Sequence, residues 1–227
     1  MAGLRGTLPG VMALVLSGGC TSHIETIEPI RHATGMADAQ VTARYIRTPR
    51  PDRFSVCHEH TCHVISEVSL DTGEWDEIRR IFAIPAADAA AERIQIARAI
   101  TTLEQLVGTR IGTANDQGRN FPGLGLSGQM DCVDEATNTS AYLLMLQQKK
   151  LLRWHQVGAR ISRGVLQLEP PHFTATVIEI GRGNRYAVDS WFHANGQPPE
   201  IVPLSEWLSG WEPPGQSTAS DGAAGRH

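Results

Sequence analysis

The residue best placed for chemistry in this sequence is Cys132, in the segment from Met130 to Asn138. Asp131 before it is a favourable N-cap, and the acidic residues at 134 and 135 suit a first helical turn, where the helix dipole favours negative charge. The pattern therefore predicts a helix that begins at Cys132. Backbone N–H groups at a helix start lower the pKa of a thiol, whereas the three carboxylates raise it. A reactive thiolate and a buried structural cysteine both stay open.

Two segments downstream of this helix have the patterns of neighbouring β-strands. Residues 171–180 are rich in β-branched side chains, and residues 186–192 alternate small or apolar residues with polar ones. A turn at 181–184 carries the glycines and asparagine typical of a hairpin. His172 lies at the start of the first strand and Asp189 near the end of the second. A thiol, an imidazole that takes its proton and a carboxylate that orients the imidazole form a nucleophile, base and orienting set.

The expected strand register places the histidine and the aspartate on one face of the sheet. A turn at 181–184 pairs Asp189 with Thr176, which is an even number of residues from His172. Four residues along a strand span roughly 13 Å, so a direct contact needs a tighter turn, a bulge or strong twist. Trp191, two residues after Asp189, either shields the pair from water or belongs to an ordinary core.

This order of residues resembles the papain-like and bacterial transglutaminase-like cysteine peptidases over the range from Gln129 to Trp211. In that superfamily a cysteine at a helix start precedes a histidine on one strand and an aspartate or asparagine on the next. The resemblance implies an α+β fold, with helices followed by an antiparallel sheet, and catalytic roles for Cys132, His172 and Asp189. It also makes Gln129 a candidate donor to the oxyanion, together with backbone N–H groups near the cysteine.

Other positions near these motifs agree with the family pattern or depart from it. Arg160 resembles an arginine that the bacterial domains carry between the cysteine helix and the histidine strand. The family usually has glycine before its cysteine, where this chain has Asp131. An aromatic residue often follows the family's histidine by two positions, where this chain has Thr174. Neither departure removes a chemical group from the proposed triad.

The N-terminus has the layout of an export signal. A basic residue, Arg5, precedes a short apolar core at 11–16 and small residues before Cys20. The core is too short to cross a bilayer. The segment resembles a bacterial lipoprotein signal, which implies cleavage before Cys20 and acylation of that cysteine, although Ser17 replaces the usual leucine. An ordinary cleaved signal is the alternative.

A second cluster of cysteines and histidines lies between Cys57 and His63. Thiolates and imidazoles are zinc ligands, but all of these residues fall in one short segment without a distant second pair. In an oxidising compartment Cys57 and Cys62 form a disulfide instead, which leaves Cys20 for lipid and Cys132 as the free thiol. We therefore predict a disulfide here and no metal, with zinc as the alternative.

Composition and periodicity limit the remaining possibilities. The chain has 227 residues, 41% hydrophobic and 19% charged, with a net charge of −4 and no basic run, so nucleic acid is not an expected partner. Apolar residues at helical spacing predict helices at 74–82 and 86–107, with Ile94 on the buried stripe of the second. A glycine-rich connection at 108–128 is either a cleft-forming loop or a flexible one. A short closing helix or turn at 203–211 buries Leu204, Trp207 and Leu208.

Together these patterns predict one domain at 52–211. A signal peptide at 1–19 and a tether at 20–51 precede it, and a disordered tail at 212–227 follows. The predicted activity is that of a cysteine peptidase or amidase, acting without a cofactor on a peptide or protein in the cell envelope. The predicted location is the periplasmic side of a bacterial membrane, held by a lipid anchor. The alternatives are amine transfer of the transglutaminase type and a non-catalytic lipoprotein that serves as a binding module.

Overall fold

The structure of the protein, a computed structural model, describes residues 45–119, 126–164 and 171–214. The predicted signal peptide, the acylated Cys20 and most of the tether lie outside these residues, as does the tail from residue 215 onward. Within them the chain forms two antiparallel sheets and four helices. In chain order the elements are β1 (Phe54–His58), β2 (Val64–Val68), α1 (Thr72–Ile81), α2 (Ala89–Ile111), α3 (Cys132–Gln148), β3 (His155–Arg163), β4 (His172–Glu179), β5 (Arg185–Asp189), β6 (Glu200–Pro203) and α4 (Leu204–Leu208).

The predicted α+β class is confirmed. Strands β1 and β2 form a separate hairpin, and the larger sheet has the order β3-β4-β5-β6 with every neighbouring pair antiparallel. The β1–β2 hairpin precedes the helices and is absent from the sequence prediction, which assigned a disulfide but no strand to the segment around Cys57 and Cys62. Its strands are only five residues long, and the segment carries polar residues that mask the alternation expected of a strand.

Helix α3 is the centre of the domain. It packs against β1 on one side and against β3, β4 and β5 of the larger sheet on another. Every residue from Cys132 to Leu146 is buried, which is the pattern of a helix surrounded by protein. Asp131 caps the helix: its carboxylate accepts from the N–H groups of Val133 and Asp134, and Asp134 bonds back to the Asp131 N–H. The predicted start at Cys132 is therefore correct.

The prediction that Ile94 and Leu208 are buried is wrong. Ile94 is 66% exposed, because the buried face of α2 runs through Ile96, Ala99, Ile100, Leu103 and Val107 instead. Leu208 is 42% exposed, whereas Leu204 and Trp207 of α4 are buried as expected. A four- or five-residue helix shows too little of its period for sequence alone to decide which side faces inward.

Candidate functional site

The structure brings His172 and Asp189 into direct contact. His172 Nε2 lies 2.7 Å from Asp189 Oδ2, and both side chains are buried. An ionised carboxylate can only accept, so Nε2 carries the hydrogen and Nδ1 is the unprotonated nitrogen of the neutral ring. The aspartate thus selects the tautomer as well as the orientation of the imidazole.

The predicted turn lies one residue too late in the chain, so the predicted pairing of these two strands is wrong by two residues. Ala175 pairs with Val188 and Thr176 with Ala187, so Asp189 is adjacent to Thr174 and not to Thr176. The Glu179 N–H donates to the Asn184 carbonyl, which confines the loop to residues 180–183. The loop has the predicted four residues but lies one position earlier in the chain, which moves Asp189 two residues closer to His172, within diagonal reach across the strands. The contact that the expected register made difficult therefore forms without a bulge in these strands.

Three aromatic rings enclose the imidazole of His172. Their centroids lie 4.6 Å (Trp191), 5.4 Å (Phe192) and 5.3 Å (Trp207) from the centroid of the imidazole. The Trp207 indole N–H also donates to Asp189 Oδ2 at 2.7 Å. The histidine–aspartate pair is thus shielded from water. The Asp189 oxygen that accepts the hydrogen bond from the imidazole is also fixed by the indole N–H of Trp207.

Cys132 lies at the start of α3 with its sulfur against the backbone on both sides of His172. Sγ is 3.7 Å from the Pro171 carbonyl oxygen and accepts a backbone hydrogen bond from Phe173. The cysteine is 5% exposed, and it is the free cysteine of the described chain. Burial, followed by the negative charges of Asp131, Asp189 and Asp134, raises its pKa to about 12. Desolvation, which the sequence does not reveal, and the carboxylates therefore outweigh the backbone N–H groups at the helix start, and the resting group is the thiol.

His172 Nδ1 is the nitrogen available to receive the proton of this thiol. It is buried and has no hydrogen-bond partner among the described residues, Cys132 included. Catalytic hydrogen bonds in enzymes without substrate are often long and tighten only when substrate binds. The site thus has a base whose lone pair is free and a thiol whose sulfur contacts the backbone on either side of that base.

The start of α3 is fixed by the loop that joins β1 to β2. This loop contains the predicted disulfide, Cys57–Cys62, with an S–S distance of 2.05 Å. Asp134 Oδ1 accepts from the Cys62 N–H at 2.6 Å, and Asp131 Oδ2 accepts from the Thr61 N–H at 3.0 Å. The Asn138 side chain bonds to both the N–H and the carbonyl of Cys57. The helix that carries the nucleophile is therefore tied to the two disulfide-bonded residues and the loop between them by its N-cap, Asp131, and by two polar side chains of the helix, Asp134 and Asn138.

Four successive residues of this loop, Glu59 to Cys62, have φ between 53° and 63°. None of them is glycine, and the left-handed region costs roughly 1 kcal/mol per non-glycine residue. The disulfide and the bonds to α3 hold the chain in this conformation.

The disulfide also bears on the alternative prediction of a zinc site at this loop. Ligand atoms of Cys57, Cys62 and Asp134 lie within 4.8 Å of one another, which is close enough for a shared ion. The sulfurs are joined as a disulfide, and disulfide sulfur is not the thiolate that zinc binds. The Asp134 carboxylate, whose pKa burial raises well above its ordinary value, is occupied by backbone N–H groups.

Gln129, the candidate oxyanion donor, is buried beside the loop that follows α2. Its side-chain nitrogen donates to the Asn115 carbonyl at 3.1 Å, and its side-chain oxygen accepts from the Gln117 N–H at 3.2 Å. These bonds attach the loop to the residues just before α3. The role of Gln129 toward an oxyanion stays a prediction. The backbone N–H of Cys132, at the first helical position, has no acceptor within the helix and suits that role.

A set of buried carboxyl groups lies behind the site. Burial raises the pKa of Glu104 to about 7, and burial together with the charge of Glu104 raises that of Glu135 well above its ordinary value. Glu104 accepts from the Gly196 N–H at 3.0 Å. The sequence placed Glu135 in the first turn of α3, but it carried no signal for Glu104, which has the pattern of a surface position on an amphipathic helix and is covered by the loop that contains Asn195 and Gly196.

Comparison of the chain with protein-family models, with curated proteins and with solved structures found no match. Among the described residues, none of the helices has the length and apolar character required to cross a membrane. The functional assignment therefore depends on the geometry of the site.

Proposed function

We propose that this protein is a thiol-dependent acyl-transfer enzyme that acts through Cys132, His172 and Asp189. The observation that carries the proposal is the 2.7 Å bond between His172 Nε2 and Asp189 Oδ2, which leaves Nδ1 without a partner, while the sulfur of Cys132 lies 3.7 Å from the carbonyl oxygen of the preceding residue, Pro171. A base needs one lone pair unoccupied. Ring nitrogens of His58 and His60 also lack hydrogen-bond partners among the described residues, and what sets His172 apart is its bond to Asp189 and the contact of the Cys132 sulfur with the backbone of Pro171. The arrangement is similar to that of papain-like and transglutaminase-like enzymes, and we assign the fold to that group as part of the same proposal.

The proposed reaction proceeds through a thioester. As Cys132 Sγ bonds to the carbonyl carbon of an amide, its proton passes to His172 Nδ1. The C–N bond then breaks, and the imidazolium gives the same proton to the leaving amine. Asp189 stabilises the transient imidazolium without becoming protonated. The backbone N–H of Cys132 holds the oxyanion, because the N–H groups of Val133 and Asp134 already donate to Asp131.

The thioester is resolved by a second nucleophile, whose identity separates the two enzymatic alternatives. Water yields a carboxylic acid and makes the protein a peptidase or amidase. An amine yields a new amide and makes it a transglutaminase. In both cases His172 takes a proton from the acceptor and returns it to the sulfur. We favour hydrolysis as the working assignment.

The non-catalytic alternative has one observation in its favour. Burial and three nearby carboxylates raise the pKa of Cys132, and this is typical of a structural cysteine. A thiol that loses its proton to an adjacent base only as it attacks does not need a low pKa beforehand. The raised pKa therefore argues against a thiolate–imidazolium ion pair in the resting protein. It does not decide between an enzyme and a binding module.

We also propose that the protein is exported and anchored by lipid at Cys20. The Cys57–Cys62 disulfide supports export, because structural disulfides are rare in reducing compartments. The substrate would then be a peptide or protein of the cell envelope.

Turnover of a simple activated ester tests this function and identifies the acceptor. Wild-type protein with its disulfide intact should release p-nitrophenol from p-nitrophenyl acetate over several turnovers, and Cys132→Ala should not. Adding a primary amine should leave acetate as the main product if water is the acceptor, whereas an acetylated amine would assign transglutaminase activity. Release that is equal in wild type and Cys132→Ala would refute the proposed function.

A further inference from the structure

A bulge in β3 directs Arg160 toward the helix that carries the nucleophile. Gly158 pairs with Thr176 and Ile161 with Thr174, so the chain has one more residue on β3 than on β4 between these pairs. Thr176 Oγ1 donates to the Ala159 carbonyl at 2.7 Å, which closes the bulge. Bulges re-aim side chains and are common beside active sites.

Arg160 donates to the hydroxyl of Thr137 in α3. Burial lowers the pKa of this guanidinium, and Tyr45 and Cys132 are near enough to raise it when they are ionised. Among the described residues no carboxylate lies within ion-pair distance of Arg160. A partly buried cation usually has an anionic partner, because removing a charge from water is costly unless the charge is paired.

The carboxylates nearest the sulfur are occupied elsewhere. Asp131 caps α3 and accepts from the Thr61 N–H. Asp134 accepts from the Cys62 N–H, and Asp189 accepts from the imidazole of His172 and from an indole. The positive charge at Arg160 is therefore not explained by a structural ion pair with these groups.

The hydroxyl of Tyr45 is a second unsatisfied group in the same place. It is buried, with 6% of the residue exposed, and it has no hydrogen-bond partner among the described residues. Tyr45 interacts with the charge of Arg160 and belongs to the apolar cluster that contains Cys132, Val133 and Trp191. A buried hydroxyl without a partner is costly, and a ligand oxygen would satisfy it.

We propose that Arg160 and Tyr45 form a subsite that binds a carboxylate group of the substrate next to Cys132. That the bound carboxylate belongs to a substrate rests on the proposed function. Binding of the carboxylate itself depends only on the Arg160 guanidinium and the Tyr45 hydroxyl next to the Cys132 sulfur. A guanidinium donates to a carboxylate through a planar fork, and a tyrosine hydroxyl adds one further donor. The substrate class is accordingly a peptide with an acidic side chain or a free terminal carboxylate close to the bond that is attacked.

Two alkylating reagents of almost the same size test the subsite without a known substrate. Iodoacetate carries a carboxylate, iodoacetamide carries a neutral amide, and both react with the same thiolate of Cys132. The ratio of their rate constants therefore cancels any change in the pKa of the thiol. Peptide-resolved mass spectrometry follows Cys132 separately from Cys20 in the full chain.

In wild-type protein we expect the ratio of the iodoacetate rate constant to the iodoacetamide rate constant to exceed that of free cysteine. Arg160→Gln should lower the ratio about tenfold, as expected for loss of one charge-assisted hydrogen bond of ordinary strength. Arg160→Lys keeps the charge without the fork and should retain part of the preference. Tyr45→Phe should lower the ratio less, and it should not destabilise the fold because the hydroxyl has no partner to lose.

Arg182→Gln is the matched control, since Arg182 is exposed in the turn between β4 and β5 and its only ion pair described is with Glu179 at 3.6 Å. Its ratio should equal that of the wild type. A wild-type ratio no higher than that of free cysteine, or a ratio unchanged in folded Arg160→Gln, would overturn the subsite. Circular dichroism and an intact disulfide identify the folded variants.

Protection from alkylation then identifies the source of the carboxylate. N-acetylalanine presents a terminal carboxylate, the α-amide of N-acetylglutamate presents a side-chain carboxylate, and N-acetylalanine amide is the neutral control. Stronger protection by one of the first two compounds assigns the subsite to that source. Protection by neither, beyond the neutral control, would refute a substrate carboxylate.

The two alkylation rate constants in His172→Ala show whether a failure concerns the carboxylate subsite or the proposed function. If His172 is the base, both rate constants fall in this variant while their ratio persists. If the proposed function is wrong, His172→Ala leaves both rate constants unchanged, and the dependence of the ratio on Arg160 still decides whether the subsite exists.

Discussion

Replacing His172 with alanine should slow acylation of Cys132 by p-nitrophenyl acetate about 10²- to 10⁴-fold at pH 7, the range typical of a general base. The reason is the resting state of the thiol, whose pKa burial raises to about 12. Without the free Nδ1, its proton has no acceptor beside the sulfur. Asp189→Ala should have a smaller effect, because the aspartate orients the ring and does not carry the proton. Stopped-flow absorbance of p-nitrophenol measures both rates.

His193→Ala is the matched control for this loss. His193 also forms a histidine–carboxylate pair, with Nε2 2.8 Å from Glu200 Oε1, but it is partly exposed. We place it outside the proposed triad and expect a rate close to that of the wild type. Equal rates in His172→Ala, His193→Ala and wild type, all folded, would remove His172 from the reaction.

Glu104→Gln should stabilise the folded protein at pH 8 by about 3 kcal/mol and have little effect at pH 4. The pKa of Glu104 is about 7 in the folded protein and ordinarily 4.5. Below pH 4.5 the carboxyl group is protonated in both states and costs nothing. As the pH rises toward 7 the unfolded chain loses this proton first, so the wild type loses stability across this interval and the loss is complete above it. Glutamine keeps an acceptor for the Gly196 N–H without the charge.

Denaturant unfolding at several pH values measures this difference, with Glu67→Gln as the control. Glu67 is an exposed residue paired with Arg53 at 3.0 Å, and its pKa is lowered by that bond. Its replacement should not stabilise the protein at any pH in the range. A Glu104→Gln difference that is the same at pH 4 and pH 8 would show that Glu104 is not protonated preferentially in the folded state.

The parts of the site that follow from local sequence were predictable. The start of α3 at Cys132 follows from Asp131 and Asp134, whose capping bonds involve residues within one helical turn. The strand patterns around His172 and Asp189 are local in the same sense. The disulfide between Cys57 and Cys62 closes a loop of neighbouring residues, so cysteine number and expected compartment indicated it.

The parts that sequence could not give depend on register and on distant contacts. The register that brings Asp189 to His172 is set by the position of one four-residue turn, and glycines at 181 and 183 permit more than one position for it. The bond from Trp207 to Asp189 joins residues 18 positions apart through a helix of five residues. The bulge that directs Arg160 has one signal in the sequence, Gly158, because an isolated glycine in a strand suggests a bulge, but it does not tell which following side chain the bulge redirects.

The most direct test of a nucleophilic Cys132 is the mass of the protein quenched with acid during turnover of p-nitrophenyl acetate. The account predicts one acetyl group on the peptide that contains Cys132, labile to hydroxylamine as a thioester is, and accumulating far more slowly in His172→Ala. Loss of the label in Cys132→Ala, with the Cys57–Cys62 disulfide still present, is the matching control. Nitrophenol release by folded wild type with no acetyl group on Cys132, or with the label on another residue, would contradict the account.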